Sequence, residues 1–427
     1  MTGVEASGEA RERPWTTPRV ISAGVVGNIL EWYDFAVYGF FAGVLADQFF
    51  PSGSRAVSLL YYFGAFAVGF LMRPVGAVIF GYIGDLYGRA KALIFSIAMM
   101  ALPTFAMGLL PTYESIGIGA SLLIVLLRMA QGIAVGGEFT ASIVFLAEHA
   151  PAKRRGFYSV WAMFAATTGT MLGSAIGGAL TNALGDEAVA SWGWRAAFMS
   201  GIIVGLVGFM IRRGMPDTPR RVHQESPLRR AFRDHKWEVL RIMGLNMSAA
   251  TTFYLLFVYA ATWVSDTKLA PHGTALNITT LSILTFLVVA PVAAWISDRY
   301  GRKLMLIVGM ALCLALAVPL LKLMYHPDPT SIAAGQMIFS GLLAVYMASI
   351  PAAMCESFPH EVRVTAVSVG YGLAYAIFGG TAPGLAVWLI ATTGSDIAFA
   401  WYIVAVTVVS LGIAFTLRDR RNEPLED

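Results

Sequence analysis

Charged residues are scarce in this chain. Only 13% of its 427 residues are Asp, Glu, Lys or Arg, about half of the roughly 25% that is usual in soluble domains. By contrast, 57% of the residues are hydrophobic. Disorder needs high charge and low hydrophobicity, so this composition excludes a disordered chain and argues against an ordinary soluble globular protein.

Cysteine and histidine are scarce as well. The two cysteines, Cys313 and Cys355, both fall inside apolar runs, which gives neither a disulfide framework nor a metal cluster. The six histidines lie in loops or at the ends of apolar runs. The chain has no H-E-x-x-H motif and no G-x-S-x-G motif. The sequence therefore predicts no metal site and argues against a membrane enzyme.

Long apolar runs are abundant. A run of about 20 residues crosses roughly 30 Å of hydrocarbon as a helix, and a helix satisfies its own backbone groups in lipid. Alternating segments of about 10 residues, typical of membrane β-barrels, are missing. The sequence predicts an all-α polytopic membrane protein with twelve transmembrane helices. The spans are 20–43, 57–82, 91–110, 116–147, 157–183, 194–213, 238–265, 275–297, 304–325, 331–357, 365–391 and 396–417.

Lysine and arginine are distributed unequally between the two sides of these spans. With both termini on one side, 24 of the 30 basic residues fall on that side. The positive-inside rule makes that side cytoplasmic, and we expect a multi-pass protein of the cell inner (plasma) membrane. Residues 1–19 read as a cytoplasmic tail, since no cleavage pattern precedes the first span. The basic residues orient the chain in the bilayer, and we predict no nucleic-acid binding.

Two motifs occur twice in the chain. G-D-L-Y-G-R begins at Gly84, and S-D-R-Y-G-R-K begins at Ser297. E-x-x-P-x-x-x-R begins at Glu148 and again at Glu356, 208 residues later. This repetition predicts two six-helix bundles, 20–213 and 238–417, joined by a cytoplasmic linker, 214–237, and followed by a cytoplasmic tail, 418–427.

The pattern G-x-x-x-D-x-x-G-R around Asp85 resembles the signature of the major facilitator superfamily. L-E-W-Y-D-F from Leu30, M-R-P-V-G from Met72, M-A-Q-G from Met129 and W-G-W-R from Trp192 resemble the metabolite:proton symporters, whose members carry citrate, 2-oxoglutarate, shikimate, proline or glycine betaine. The resemblance implies the major facilitator fold, alternating access, the proton as coupling ion with no other cofactor, and a chain that functions as a monomer.

The duplicated motifs place charged residues at the predicted cytoplasmic surface. The resemblance implies that they form a cytoplasmic gate, in which charges pair across the two halves and hold that side shut. The alternative is that they only fix topology and loop geometry. The predicted gate residues are Asp85, Arg89, Glu148, Arg155, Asp298, Arg302, Glu356 and Arg363.

Five ionisable residues lie inside the predicted spans, namely Glu31, Asp34, Arg73, Arg128 and Glu138. Ionisable groups are costly in the membrane, so each is a candidate site residue. Counting helical rise places four of them near the bilayer middle and Arg128 about 15 Å further outward than Glu138.

Glu31 and Asp34 share one face of span 1. Two carboxylates this close do not both ionise easily, so one should bind and release a proton. The resemblance implies an ion pair between Asp34 and Arg128 that protonation breaks. We expect Asp34 to couple the proton, ahead of Glu31. The alternative is a static pair that orders two helices. Glu138 is left open between binding a cationic group, carrying a proton and pairing with an arginine.

Arg73 is the predicted anchor for a substrate carboxylate, because a guanidinium matches a carboxylate in shape and charge. The alternative is a structural partner for Glu31 or Glu138. Tyrosines supply hydroxyl donors and ring faces for the rest of a pocket. The other predicted substrate contacts are Tyr38, Gln131, Tyr254, Tyr259, Tyr371 and Tyr375.

These features predict a secondary active transporter in the lipid bilayer. It would import a small carboxylate-bearing metabolite, of the organic acid, dicarboxylate or tricarboxylate class, by proton symport. Two alternatives stay open. One is a proton-coupled importer of a zwitterion such as proline or glycine betaine, in which the tyrosines hold the amine. The other is a passive facilitator.

Overall fold

The structure is a computed structural model that describes residues 17–87, 89–135, 137–212 and 227–426. Within these ranges the chain is helical and contains no strand, which confirms the predicted all-α fold. The predicted gate residues Asp85 and Arg89 lie outside the residues whose side chains are described.

The twelve predicted spans coincide with helices. In chain order they are Thr17–Phe40; Arg55–Leu71 with Arg73–Tyr87; Arg89–Leu109; Ile118–Ala134 with Glu138–Glu148; Arg155–Leu184; Trp194–Met199 with Gly201–Arg212; Lys236–Asp266; His272–Tyr300; Arg302–Met324; Pro329–Cys355; His360–Thr393; and Phe399–Thr416. Over the described residues, nine helical stretches are long and apolar enough to cross a membrane. Spans 1, 3 and 5 are the other three.

Two spans of the first half break near their middle, at residues of the predicted site. Span 2 is interrupted at Met72, and its second segment begins with Arg73. Pro74 follows and cannot donate a backbone hydrogen bond, which favours the break. Span 4 is interrupted before Glu138, where Gly137 has a φ of 98°, a conformation that favours glycine. Breaks of this kind accompany the central sites of transporters.

Two spans of the second half contain a wider, π-helical turn. The π-helical segments run from Tyr254 to Tyr259 in span 7 and from Tyr375 to Gly379 in span 11. Such turns insert one extra residue into a helix and are frequent at functional sites. The first residues of these two segments, Tyr254 and Tyr375, are both predicted substrate contacts.

Glycines bring span 4 close against span 2. A side chain on Gly132 would overlap the backbone of Gly69, and one on Gly76 would overlap the backbone of Ile133. Small residues allow this approach between membrane helices. The contact fixes Arg128, one turn before Gly132, beside the segment of span 2 that leads to Arg73.

Part of the predicted linker is helical. The helix Pro227–Asp234 buries Ala231, and Arg230 forms an ion pair with Glu361 at the start of span 11. This places the helix against the second half. Residues 213–226 lie outside the described ranges, so the predicted limits of the linker stay a prediction.

Candidate functional site

Two buried arginines approach the same aromatic ring at the centre of the molecule. The guanidinium carbon of Arg73 lies 4.8 Å from the ring centroid of Phe35 and 4.1 Å from that of Phe70. The guanidinium carbon of Arg128 lies 4.3 Å from the Phe35 centroid and 4.3 Å from that of Tyr38. Arg73 is 8% exposed and Arg128 is fully buried. The ring faces partly stabilise the two cations.

This arrangement corrects the predicted depth of Arg128. Counting helical rise separated it from the other ionisable residues, yet its guanidinium lies over the ring that Arg73 also contacts. The rise locates a backbone position, whereas an arginine side chain extends its charge well away from the backbone. The break in span 4 also makes a count from Glu138 unreliable.

Several N–H groups of these arginines have no partner. Within the described part of the chain, Nε of Arg73 and both Nε and Nη2 of Arg128 are buried without a hydrogen bond. A buried donor that is left unpaired costs free energy, about 1–3 kcal/mol and more when charged. These unpaired donors are suited to the anionic oxygen atoms of a ligand.

Rings of the second half face these arginines. The ring centroid of Tyr254 lies 5.1 Å from that of Phe70, and the centroid of Tyr371 lies 5.0 Å from that of Phe139. Tyr371 and Tyr375 stack with their centroids 4.0 Å apart. The structure thus brings three predicted substrate residues together with both arginines. We refer to Phe35, Phe70, Arg73, Arg128, Tyr254, Tyr371 and Tyr375 as the central cluster.

Two other predicted substrate residues are placed differently. Tyr259 packs against Phe63 and Phe399, at centroid distances of 5.9 and 5.7 Å, and lies outside the central cluster. Tyr38 stacks on Tyr62, with ring centroids 4.2 Å apart. The hydroxyl of Tyr38 donates to the backbone oxygen of Tyr62 at 3.2 Å, so only its ring contributes to the surroundings of Arg128.

Asp34 and Arg128 do not form the expected ion pair. Among the described residues, no ion pair joins these two side chains, and Oδ1 of Asp34 and Nε and Nη2 of Arg128 have no hydrogen-bond partner. Instead, Nη1 of Arg128 donates to Oε1 of Gln131 at 2.8 Å, and Nε2 of Gln131 donates to Oγ1 of Thr104 at 2.7 Å. The Thr104 hydroxyl in turn donates to the backbone oxygen of Met100 at 2.9 Å.

The direction of the Asp34 side chain explains this correction. Asp34 is 2% exposed and points toward spans 3 and 6, where a Cβ on Gly201 would lie 3.1 Å from its Oδ1. Arg128 points the other way, toward the aromatic rings. Glu31 and Glu138, the other two predicted proton-coupling residues, are half-buried and make interactions of their own. Their roles stay predictions.

The predicted cytoplasmic gate contains two ion pairs that cross between the halves. Nη1 of Arg363 lies 2.6 Å from Oε1 of Glu148, and Nη1 of Arg155 lies 3.5 Å from Oε1 of Glu356. The two pairs are reciprocal, because each half supplies one glutamate and one arginine from the duplicated motif. This end of the molecule is closed.

Asp298 and Arg302 strengthen the same closure. The carboxylate of Asp298 accepts hydrogen bonds from the backbone N–H groups of Gly156 and Phe157, both at 2.9 Å, where span 5 begins. A helix N-terminus favours a negative charge. Arg302 pairs with Asp298 at 2.7 Å and with Glu356 at 3.0 Å. Because these side chains are buried, loss of one partner would leave an uncompensated charge.

The C-terminal tail covers this gate, which the sequence did not predict. Nη2 of Arg155 donates to the backbone oxygen of Glu423, and Nη2 of Arg363 donates to that of Glu426, both at 2.7 Å. Arg155 and Arg363 therefore each bind a glutamate of the opposite half and a carbonyl of the tail.

The opposite end is closed by an ion pair that sequence reasoning missed. Arg55, at the start of span 2, donates to both carboxylate oxygens of Asp266, at the end of span 7, at 3.2 and 3.0 Å. Asp47 lies 2.5 Å from the same guanidinium. The sequence feature that could have predicted this pair is the presence of opposite charges at the outer ends of spans 2 and 7, which meet in the predicted fold.

Two further groups in the site were not predicted. Phe66, Phe70 and Arg73 follow one another at spacings of four and three residues, which places them on one helix face. That spacing predicts the approach of rings to Arg73. The other is Thr104, next to Pro103 in an apolar run, whose hydroxyl accepts a hydrogen bond from Gln131.

A twelve-helix bundle with a buried charged centre and ion pairs at both ends defines an integral membrane transporter. Residues 20–231 match the family model of sugar (and other) transporters, and residues 242–427 match that of the major facilitator superfamily. The chain belongs to the major facilitator superfamily, within the metabolite:proton symporters, as its motifs indicated, and it is not an enzyme.

Three curated relatives support this assignment over almost the whole chain. The identity is 32% to a glycine betaine/proline/ectoine/pipecolic acid transporter of Dickeya dadantii, covering 96% of this chain and 84% of the relative. It is 35% to a citrate-proton symporter of Klebsiella pneumoniae, with coverages of 90% and 88%. It is 31% to an alpha-ketoglutarate permease of Escherichia coli, with coverages of 96% and 95%.

Solved structures show the same fold. A D-xylose-proton symporter superposes with a TM-score of 0.74 at 20% identity, covering 95% of this chain and 99% of that chain. A partially occluded inward open form of the xylose transporter of E. coli superposes equally well, at 18% identity and the same coverages.

Proposed function

We propose that the protein imports a small carboxylate-bearing solute together with protons, by alternating access, in the cell inner membrane with both termini cytoplasmic. The observation that carries the proposal is the pair of buried guanidinium groups over Phe35, with N–H donors directed at no described acceptor. An intramembrane cation is costly and is retained where it meets an anionic ligand. A carboxylate between Arg73 and Arg128 supplies that ligand.

In this proposal, Asp34 is the residue that binds and releases the coupled proton. Its carboxylate is buried, and one of its oxygens, Oδ1, has no hydrogen-bond partner among the described residues. Protonation would remove a buried charge close to Arg128 and so change the balance between open and closed states. The proton is the coupling ion, and no other cofactor is required. One chain suffices, because the path runs between its own two halves.

A zwitterionic solute is the second candidate. The stacked rings of Tyr371 and Tyr375 offer faces that attract a secondary or quaternary ammonium group. Relatives named for betaine and proline transport match 96% of this chain, and relatives named for citrate and alpha-ketoglutarate match 90% and 96%. Both candidates use the arginines for a carboxylate, and they differ in what the tyrosines contact.

Uptake into proteoliposomes under an imposed pH gradient tests the proposal. The solutes are citrate, 2-oxoglutarate, shikimate, proline, glycine betaine and choline. Glycine betaine and choline form the sharpest contrast, since both carry a quaternary ammonium but only betaine carries a carboxylate. We expect gradient-driven accumulation of at least one carboxylate solute and none of choline. Uptake that does not depend on the gradient would contradict proton symport and support the passive facilitator. Accumulation of choline would contradict recognition of a carboxylate.

A further inference from the structure

The short helix between the two halves carries apolar and basic side chains on different stripes. We refer to this helix, Pro227–Asp234, as the linker helix. Leu228 and Phe232 are four residues apart and therefore share one stripe. Arg229 and Arg233 have the same spacing and share the next stripe. All four side chains are exposed, so neither stripe is covered by the described part of the protein.

Two contacts fix the direction in which the linker helix faces. Ala231 is fully buried where the helix packs against span 11, and Arg230 forms an ion pair with Glu361 at the start of that span. Successive residues of a helix are about 100° apart around its axis. Arg229 and Arg233 therefore lie nearly opposite Ala231, and the apolar stripe lies on one flank.

The start of span 7 places the linker helix near the lipid headgroups. Trp237 follows the end of the helix by three residues and is 67% exposed, and Leu240 is 50% exposed. The Nζ of Lys236 lies 5.6 Å from the centroid of the Trp237 ring. Tryptophan is enriched where a membrane helix enters the headgroup region. The apolar stripe therefore lies beside the edge of the bilayer, where it is suited to insertion.

The same segment is basic. Residues 227–241 contain five Lys or Arg and two Asp or Glu, which gives a net charge of +3. Arg233 pairs with the neighbouring Asp234 at 2.9 Å, but within the described part of the chain Arg229 has no ion-pair partner. A cluster of basic residues on an amphipathic helix next to a membrane span is complementary to an anionic lipid surface.

We propose that the linker helix is a binding surface for anionic phospholipids of the predicted cytoplasmic leaflet. The apolar stripe enters the outer part of the acyl region, and Arg229 and Arg233 bind phosphate oxygens from the level of the headgroups. A guanidinium offers paired donors that match those oxygens. An anionic lipid binds more tightly than a zwitterionic one, because no headgroup amine cancels its phosphate charge. The inference goes beyond the proposed function and does not depend on the solute.

The test measures which lipid lies beside the helix. Leu228→Cys, introduced after Cys313→Ala and Cys355→Ala, carries an environment-sensitive fluorophore. Nanodiscs of phosphatidylcholine receive the same small fraction of nitroxide-labelled phosphatidylglycerol or of nitroxide-labelled phosphatidylcholine. A nitroxide quenches only at close approach, so the ratio of quenching by the two lipids reports the local preference for the anionic one. Gly53→Cys, exposed at the opposite end of the molecule, serves as reference.

We expect a ratio well above one at Leu228→Cys and a ratio near one at Gly53→Cys. Arg229→Gln with Arg233→Gln should lower the first ratio toward one, since a basic residue near an anionic surface contributes about a fivefold preference. Arg229→Lys with Arg233→Lys should retain most of the preference. Raising the ionic strength should weaken it, because salt screens exposed charges.

A matched control removes two basic residues from another loop on the same side of the membrane. Lys153 and Arg154 are exposed just before span 5, and Lys153→Gln with Arg154→Gln should leave the ratio at Leu228→Cys unchanged.

Three outcomes would overturn the inference. Equal quenching by the two lipids in the parent would show that the helix touches the bilayer without preferring an anion. No quenching by either lipid would place the apolar stripe away from the bilayer, against water or another protein. An equal loss of preference in the control and in the double arginine variant would assign the preference to overall charge. Solute uptake is measured separately, so none of these outcomes bears on the proposed function.

Discussion

The two halves share a fold but differ in where they keep charge. Glu148 and Glu356, 208 residues apart, are both charged and both pair across the gate. At the same offset, Arg128 of the first half corresponds to Gln336 of the second. Gln336 donates to the backbone oxygen of Leu256 at 2.7 Å and to Thr279 at 3.2 Å, whereas Arg128 has two nitrogens without a described partner.

This difference indicates how the two halves of a duplicated transporter differ in function. Both halves retain the gate charges, because closing one end requires reciprocal contacts. At the centre, the first half retains buried ions and the second supplies rings. A buried ion is costly, so a charge is kept only where binding or proton transfer uses it. We therefore propose that the first half carries out anion binding and proton transfer.

The largest effect should come from removing the carboxylate of the first half that we propose couples the proton. Asp34→Asn should abolish accumulation driven by a proton gradient while leaving solute exchange. A gradient of two pH units supports about 100-fold accumulation for one proton per solute, and the variant should show none. The measurement is steady-state uptake in proteoliposomes, with Asp186→Asn, at the exposed start of a short helix before span 6, as control. Gradient-driven accumulation by Asp34→Asn would contradict the assignment.

The second-largest effect should come from replacing a first-half residue with its second-half counterpart. Arg128→Gln gives the position the residue of its counterpart Gln336 and removes one guanidinium from the proposed anion site. Loss of a charge-assisted hydrogen bond of about 1.5–3 kcal/mol corresponds to about 10- to 150-fold weaker carboxylate affinity. Equilibrium binding of the transported solute measures it. Arg195→Gln, which removes a guanidinium bound to backbone oxygens of Gly108 and Leu110, is the matched control. An unchanged affinity in Arg128→Gln would be evidence against the anion site.

A smaller effect should arise from the rings of the second half. Tyr371→Leu removes the ring face, and Tyr371→Phe keeps it while removing the hydroxyl. For a zwitterion we expect about 2- to 30-fold weaker binding in Tyr371→Leu, from a cation–π contribution of about 0.5–2 kcal/mol, and near-normal binding in Tyr371→Phe. For an organic acid, the two variants should be similar. Comparing both across the solute panel separates the two candidates.

The smallest effects should come from substitutions in the ion pairs that close the two ends of the molecule, and the effects should differ between the two ends. Glu356→Gln leaves Arg155 buried without its carboxylate and Arg302 paired with Asp298 alone, so it should open the predicted cytoplasmic end measurably. Asp266→Asn breaks a partly exposed pair that solvent and salt already screen. Cysteine labelling from each side measures opening. Equal effects of the two variants would argue that burial does not set the strength of the gates.

The fold and the gate were largely predictable, whereas the centre was not. Apolar runs and duplicated motifs determine helices and their pairing, since membrane helices must satisfy their own backbone. The hydrogen bonds from Arg128 to Gln131 and from Gln131 to Thr104 depend on the close approach of spans 2 and 4 at Gly132 and on the position of span 3. Helical spacing identifies a shared face, but it does not give the direction in which a long side chain such as Arg128 reaches.

The most direct test of the asymmetry is proton entry driven by solute. Proteoliposomes loaded with a pH-sensitive dye receive the transported carboxylate without an imposed gradient. The parent protein should acidify the interior as the solute enters. Asp34→Asn should exchange solute without any pH change. Equal acidification by both proteins would contradict the account, because the proton would then enter by a route that does not use the buried carboxylate of the first half.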